Sequence, residues 1–460
     1  MSKPIKNTNY AQESFPAEMW DKMQHIMENY NDHMVHVSIK FDGEIDVEKM
    51  KLAFKTVVDG IPVLRSVYVQ TFVKAEWITL ENFEIDDVFS VKEVDGNADY
   101  ESEMFLVQRI RENREAQFKV QILKCEGKDT LNILMNHMCL DGADFKEFIY
   151  KVAGIYSDLV NGIERKYHIK NGSRSHMQVY ENMTEGEKEE AMGLISYSKK
   201  QKAKISYPYE KVSRKKTHPR FISYKLDAET FEKIKANGKM LGVSVNDIIL
   251  GCFYRATVKL CTIKEGEALG IPNMVDLRRY TKTGKTGGFC NLTSMVVANL
   301  GTNIGSDVFE TILKAKISMD ELKGHYPGLH GLPLLSKVFQ YAPYRIAHFL
   351  IGTFFKNPLI GISNIGLFDE KRLQFAGREV VDVYMTGSIK HAPYMQLSLS
   401  TFRNEVTHIV ASYVTDKDYE MFETMFKHYD SELREFANLE LTHEGIAKSL
   451  LLLLHNANIN

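Results

Sequence analysis

No stretch of the chain is long and apolar enough to cross a bilayer. A spanning helix takes about 20 consecutive apolar residues. The longest candidates are Leu450 to Leu454 and the aromatic-rich stretch from Leu332 to Phe355, which Lys337, Arg345 and His348 interrupt. Both read as packed or amphipathic helices, and no transmembrane segment is expected. The opening Met1-Ser-Lys-Pro-Ile-Lys-Asn-Thr-Asn lacks the apolar core of a secretory signal, so a cytoplasmic location is expected. Cysteine is sparse: Cys125, Cys139, Cys252, Cys261 and Cys290 are scattered without a Cys-x-x-Cys pair. That excludes a disulfide framework and a cysteine-rich zinc site, and leaves reduced thiols. Glycine is dispersed, with neither a Gly-x-Gly-x-x-Gly after a strand nor a Gly-x-x-x-x-Gly-Lys-Ser/Thr loop, which removes the support for a nucleotide-binding fold. Excess charge is missing too. A formal net charge of -2 supplies no general pull toward nucleic acid or an anionic membrane, so such binding would need a local basic patch.

What is present is ample core material. Hydrophobic residues make up 44% and charged residues 26%, the balance of a globular chain. With 460 residues, two domains or two fused halves are expected. Val35, Val37, Ile39 and Phe41 alternate with polar residues as in a half-buried strand. Asp46 then stands where an N-cap belongs, Met50, Phe54 and Val57 recur at helical spacing, and Asp59-Gly60 ends the run. Ile61 to Val69 reads as the next strand, giving a β-α-β opening. A helix is expected over Tyr100 to Asn113, and a hairpin from Phe118 to Cys125 and Leu131 to Met135. Helical periodicity resumes from Ala143 to Leu159, which places His137 on a strand-to-helix connection.

From Arg165 to Pro219 the pattern weakens. The clusters Glu185 to Glu190 and Lys199, Lys200, Lys202, Lys204, Lys211, Arg214, Lys215 and Lys216 read as a solvated linker, the alternative being contacts to the phosphates of a coenzyme or carrier arm. The expected division is 1–170, a linker over 171–217, and 218–460. The second half opens with strand Phe221 to Leu226, a cap at Asp227, and a helix closed by Gly242. Ser244-Val-Asn-Asp247 has capping-box form and starts another helix. Strands follow near Leu269 to Val275, Phe289 to Ala298, Leu359 to Ser363, Gln396 to Phe402 and Val406 to Tyr413, with a last helix from Asp416 to Phe436. Helices and strands alternate in both halves, so the fold class is α/β, with hairpins making the sheets mixed.

The chemistry concentrates in Asn136-His137-Met138-Cys139-Leu140-Asp141-Gly142. An imidazole at a strand end can take a proton from a hydroxyl or amine attacking a carbonyl. Asp141 either accepts from the imidazole or turns away to hold the loop, and Gly142 allows a tight departure into the helix without a Cβ clash. The competing reading is a buried histidine whose aspartate caps the following helix.

This His-x-x-x-Asp-Gly string resembles the active-site motif of the chloramphenicol-acetyltransferase-like superfamily. That superfamily includes nonribosomal peptide synthetase condensation domains, alcohol acetyltransferases, polyketide-associated acyltransferases and wax-ester synthases. Gly43-Glu-Ile-Asp46 and Ile61-Pro-Val-Leu-Arg65 resemble its first β-α-β unit. Gly242-Val-Ser-Val-Asn-Asp-Ile-Ile-Leu250, Pro272-Asn-Met-Val-Asp-Leu-Arg278 and Ser363-Asn-Ile-Gly366 resemble later signature segments in the same order. The resemblance spans nearly the whole chain. It implies two acetyltransferase-like halves, each a mixed β-sheet flanked by helices, forming a V with a central tunnel. It further implies that His137 deprotonates the acceptor while Asp141 points away and pairs with an arginine, Arg278 preferred over Arg279, as a structural brace.

Two departures stand out. Condensation domains usually carry a second histidine where this chain has Asn136, and no Asp-Phe-Gly-Trp-Gly segment is evident. Both favour O-acyl transfer over amide formation. Ser363 and Asn364 are candidate donors to a tetrahedral oxyanion, or simply a polar strand end. Cys139 reads as a packed thiol rather than a nucleophile, and the aromatics from Phe339 to Phe355 as core packing rather than an acyl-tunnel lining. A metal held by His137 and Asp141 has no third ligand clustered nearby.

The expected function is therefore transfer of an acyl group from acyl-CoA or a phosphopantetheinyl thioester to an alcohol or amine, without a metal or tightly bound cofactor. The expected partners are a small-molecule or lipid-like acceptor and an acyl or peptidyl carrier protein; nucleic acid is not among them. The rivals are a carrier-dependent, amide-forming condensation enzyme and a catalytically silent carrier-binding relative.

Overall fold

In a computed structural model that describes residues 10–193, 205–206, 209–210, 212–324, 326–355 and 357–441, the first alternating pattern becomes the strand Met34–Phe41. Its apolar side chains are buried, and so are His36 and Ser38 on the opposite face, so the strand is covered on both sides. The helix Val47–Asp59 follows, with the Asp46 carboxylate accepting from the Lys49 amide at 3.0 Å. The hairpin Phe118–Cys125 and Lys128–Asn136 pairs antiparallel and ends one residue before His137. A five-stranded sheet results, in the order Val380–Thr386, Met34–Phe41, Lys128–Asn136, Phe118–Cys125, Phe89–Glu93.

The opening departs from a simple β-α-β crossover. Pro62 heads a 3-10 turn, Pro62–Arg65, where its fixed φ suits a helical first turn and its missing N–H loses no bond. The next strand shrinks to Ser66–Gln70 and pairs antiparallel with Ala75–Leu80 in a separate three-stranded sheet completed by Tyr10–Pro16. The expected helix from Tyr100 is also shorter, Ala98–Leu106. The Leu106 carbonyl, which a continuing helix would give to residue 110, accepts from His36 Nδ1 at 2.8 Å instead.

A seven-stranded sheet carries the second core, in the order Thr293–Asn299, Gly270–Asp276, Ile360–Leu367, Met395–Phe402, Glu405–Val414, Lys390–His391, with His218–Leu226 also paired to Glu405–Val414. Ile360–Leu367 pairs parallel with both of its neighbours and Lys390–His391 pairs parallel with Glu405–Val414, while the other pairs are antiparallel, so the sheet is mixed. Helices Ala228–Leu241, Val245–Leu260, Val308–Lys323 and Asp416–Ala437 supply its apolar cover. The caps lie at Asp227, Ser244 and Thr415, and Gly242 ends its helix at φ +69°, a conformation open to glycine.

The cores do not divide along the chain. Strand Val380–Thr386, far on in sequence, closes the first sheet against Met34–Phe41, with Thr386 opposite His36. Phe368, Leu373, Phe375, Val383 and Met385 are buried in that first core. The start of the region read as a linker is packed structure: Val179 and Tyr180 are buried with Leu277, Cys290 and Leu292. Arg214, Lys215 and Lys216 form an exposed 3-10 turn. Lys199, Lys200, Lys202, Lys204 and Lys211, and the run Leu450 to Leu454, lie outside the described residues.

The aromatic stretch is a correction. It forms two helices, Leu332–Tyr341 and Tyr344–Phe354, and although Tyr344 is buried, Tyr341, Phe349 and Phe354 are exposed. Core packing describes only part of it: Tyr344 and Ile351 are buried, and Phe339 and Phe355 pack against the cores, while the outer face is left to solvent. Among the described residues, no helix is long and apolar enough to cross a membrane.

Candidate active site

Asn136, the last residue of its strand, shapes the turn that follows. Its Oδ1 accepts from the Met138 amide at 2.9 Å, and its Nδ2 donates to Gln117 Oε1 at 2.7 Å. The turn leaves His137 half-buried while Met138, Cys139 and Leu140 go fully inside. Asp141 then caps the helix Gly142–Val160, its Oδ1 accepting from the Ala143 and Asp144 amides, each at 3.1 Å.

The imidazole is oriented by acceptors. His137 Nδ1 lies 3.0 Å from the Leu140 carbonyl oxygen and 3.1 Å from Asn291 Oδ1. The Asn291 amide cannot be reversed without loss, because its Nδ2 donates to the carbonyls of His137 at 2.6 Å and Met138 at 3.2 Å. Both oxygens facing Nδ1 only accept, so Nδ1 carries the hydrogen and the lone pair sits on Nε2. Nε2 has no protein partner among the described residues. Burial, opposed by the Asp141 charge and the loop's own hydrogen bonds, pushes the ring's pKa below its ordinary 6.5. A neutral imidazole with a free Nε2 is the protonation state of a base.

Asp141 turns away from that ring. Its Oδ2 accepts from Arg278 Nη1 at 2.8 Å, the Leu292 amide at 2.7 Å and Thr293 Oγ1 at 3.1 Å. Burial would raise the Asp141 pKa, but the Arg278 charge and these donors hold it below the ordinary value. Arg278 is shared: Nη2 lies 3.1 Å from Asp144 Oδ2 and donates to the Cys290 carbonyl at 3.1 Å. Asp144, whose pKa burial raises, also meets Lys170 at 3.1 Å and the Cys290 amide at 2.8 Å. Arg174 adds a second clasp, donating to the Cys139 and Phe289 carbonyls at 3.0 Å each while paired with the buried Asp21. The segment carrying Cys290 and Asn291 is held close by glycine: a Cβ on Gly288 would lie 2.5 Å from the Gly172 carbonyl oxygen.

The other expected residues fall nearby with altered reasons. Gly142 has no left-handed φ, and a Cβ there would meet Met385 Sδ at 3.6 Å and Ile365 at 3.7 Å, ordinary contacts. Its lack of a side chain leaves space between the helix start and the strand Ile360–Leu367; it relieves no backbone clash. Ser363 and Asn364 are on that strand, which Lys146 ties to the helix by donating to the Ile365 carbonyl at 2.7 Å. Asn364 is engaged with Asn246 and the Gly366 amide, while the Ser363 hydroxyl makes no hydrogen bond among the described residues. Arg279 lies over the Tyr280 ring instead of meeting Asp141. Cys139 is fully buried, with its thiol pKa driven up by desolvation. Among the described residues, no cluster of three or more His, Cys, Asp or Glu side chains could hold a metal ion.

Sequence reasoning passed over Asn291, Asp144 and Arg174. Asp144 carried a faint signal, three residues after Asp141 and so on the same helix face. Asn291 carried none. It lies in what reads as a continuous strand from Phe289 but is an irregular stretch before Thr293–Asn299. Asn291→Ala is expected to lower kcat about ten- to a hundredfold, the usual effect of removing an orienting partner from a functional imidazole, with KM little changed. Steady-state kinetics on the folded variant check this, and an unaltered kcat would leave Leu140 as the sole orienting group.

Residues 289–435 match the family model of the WS/DGAT C-terminal domain. No curated protein matches the sequence significantly. Among solved structures, the chain is similar to the epimerization domain from the third module of tyrocidine synthetase B, at 17% identity and a TM-score of 0.66, over 94% of this chain and 97% of that one. It is also similar to a mutant starter condensation domain of rhizomide synthetase in complex with C8-CoA, at 11% identity and a TM-score of 0.63, covering 94% and 95%. A third likeness is to trichothecene 15-O-acetyltransferase from Fusarium sporotrichioides, at 10% identity and a TM-score of 0.63, covering 92% and 95%. The chain therefore shares the mixed α/β fold of these condensation, epimerization and acetyltransferase structures, with residues 289–435 matching the WS/DGAT C-terminal domain, an acyltransferase family of chloramphenicol-acetyltransferase-like fold.

Proposed function

We propose that this chain transfers an acyl group from a thioester to an alcohol, with His137 as general base. The observation that carries the reading is the blocked Nδ1: Leu140 and Asn291 both accept from it, which leaves Nε2 free to receive a proton. The acceptor hydroxyl gives its proton to Nε2 as its oxygen forms a bond to the thioester carbonyl carbon. The tetrahedral oxyanion then collapses, the carbon–sulfur bond breaks, and the departing thiolate takes the proton back from the imidazolium. Ester and free thiol are the products, and the base is regenerated. Ser363 is the preferred oxyanion donor, since the Asn364 amide is engaged elsewhere. Asp141 and Arg278 act on the loop and not on the substrate. The substrates meet at His137 in a passage between the two cores.

Coenzyme A is the favoured donor carrier, since a condensation domain of similar fold was solved with C8-CoA. An alcohol acceptor is supported by the WS/DGAT match and by the likeness to an O-acetyltransferase. The test is a mass-spectrometric screen of short- to long-chain acyl-CoA and acyl-carrier thioesters against pooled alcohols and amines. Ester formation with matching release of free thiol is expected. Turnover only with carrier-bound acyl groups would move the donor assignment, amide-only products would move the acceptor, and consumption of no thioester would end the proposal.

A further inference from the structure

The helices Leu332–Tyr341 and Tyr344–Phe354 show solvent a face that helices ordinarily bury. Tyr344, Ala347 and Ile351 occupy the inner face of the second helix. Its outer face carries Ile346, Phe349 and Phe354, the last two 69% and 77% exposed. Leu334 and Tyr341 continue this surface on the first helix at 64% and 78% exposure. The turn between Ser66–Gln70 and Ala75–Leu80 extends it further. There the Phe72 and Val73 carbonyls accept from the Arg345 and Tyr344 amides at 3.0 and 2.9 Å, so both exposed side chains are fastened beside the helix start. Monomeric soluble proteins seldom expose a contiguous apolar patch this rich in aromatic and leucine side chains without a partner.

The charge carried by the helices themselves and the chain that flanks them is of one sign. From Leu322 to Phe368 the chain has no acidic residue, yet it carries Lys323, Lys337, Arg345 and Lys356. Lys337 and Arg345 are exposed and make no ion pair among the described residues. Glu76 and Glu28 are engaged in ion pairs, with Lys74 at 2.7 Å and with Arg109 at 2.6 Å. A net charge of -2 gives the whole molecule no attraction to an anionic surface, so this local pairing of apolar and cationic side chains is what would orient it.

We propose that this face docks on an anionic phospholipid bilayer, with Phe349, Phe354, Tyr341 and Leu334 entering the headgroup–acyl boundary and Lys337 and Arg345 meeting the lipid phosphates. The inference stands apart from the acyl-transfer reading, because it uses none of the His137 site. The test is co-sedimentation of the full chain with vesicles of phosphatidylcholine and phosphatidylglycerol, beside vesicles of phosphatidylcholine alone. Binding is expected on the mixed vesicles and should fall with added salt. The pair Phe349→Ser and Phe354→Ser should weaken it by about tenfold or more through lost apolar burial. Lys337→Gln and Arg345→Gln should each weaken it by about fivefold, and His137→Ala should leave it unchanged. All four substituted surface side chains are exposed, so circular-dichroism melts should not move. The proposal is overturned if the wild-type chain stays in solution beside anionic vesicles, or binds equally after both serine substitutions. A solution dimer dissociated by the serine pair would overturn it too, by assigning the face to a second copy.

Discussion

Replacing His137 with alanine is expected to lower kcat by about two to four powers of ten, the ordinary contribution of a positioned base, with the fold retained. The fold should survive because, among the described residues, the ring's protein bonds run only through Nδ1, to Leu140 and Asn291, and Asn291 keeps its own bonds to the His137 and Met138 carbonyls. The wild-type pH profile identifies the group. Its pKa lies below 6.5 because burial disfavours the imidazolium, so kcat/KM should rise with pH through a midpoint under 6.5 and level off near neutrality. The same depression means that the unfolded ring binds a proton more readily than the folded one. The stability it contributes is present above 6.5 and is lost as pH falls through the folded value. In the alanine variant the acidic limb attributable to this ring should vanish. Near-normal turnover by the folded variant would remove His137 from the chemistry.

Replacing Arg278 with methionine is expected to cost about 3–5 kcal/mol of folding stability, a second large effect. The reason is what stays behind. Asp141 and Asp144 are both buried, and the guanidinium bridges them from 2.8 and 3.1 Å. Methionine fills much of the volume but leaves both buried carboxylates without the guanidinium, held among the described residues by amides, Thr293, Thr286 and Lys170. Arg278→Lys should recover part of the loss, since a single ammonium cannot span two carboxylates as a planar fork does. The gap between wild type and variant should narrow as pH falls through the depressed Asp141 value, where the buried charge is neutralised in either protein. Urea unfolding at several pH values measures this. Equal midpoints for wild type and methionine variant would show that the two carboxylates do not depend on the guanidinium.

These two residues differ in how they were found. His137, Asp141 and the strand-to-helix setting are visible locally, because a hairpin pattern runs into the motif and a helical period runs out of it. Arg278 came only through the ordered resemblance of Pro272 to Arg278, since nothing in its own neighbourhood demands an acidic partner more than a hundred residues away. Asn291 came from neither. A single asparagine in an irregular approach to a strand has no period and no cap, and its importance lies wholly in where its amide is aimed. The exposed helices show the reverse failure. Apolar residues at helical spacing report that a face seeks cover, yet Tyr344, Ala347 and Ile351 already satisfy the core while Phe349 and Phe354 look outward.

What the chain settled unaided is local. Side-chain period decided strands and helices, short polar side chains next to apolar runs decided helix starts at Asp46, Asp227 and Ser244, and an imidazole ending a hairpin marked the residue on which the proposed chemistry rests. Tertiary structure alone decided that Val380–Thr386 would close the first sheet, that Asn291 would hold the imidazole tautomer, and that Asp144 would share Arg278 with Asp141. The physical reason is range. Backbone propensity and capping act over about one helical turn, whereas strand pairing and buried ion pairs join residues whose proximity exists only once both cores have packed.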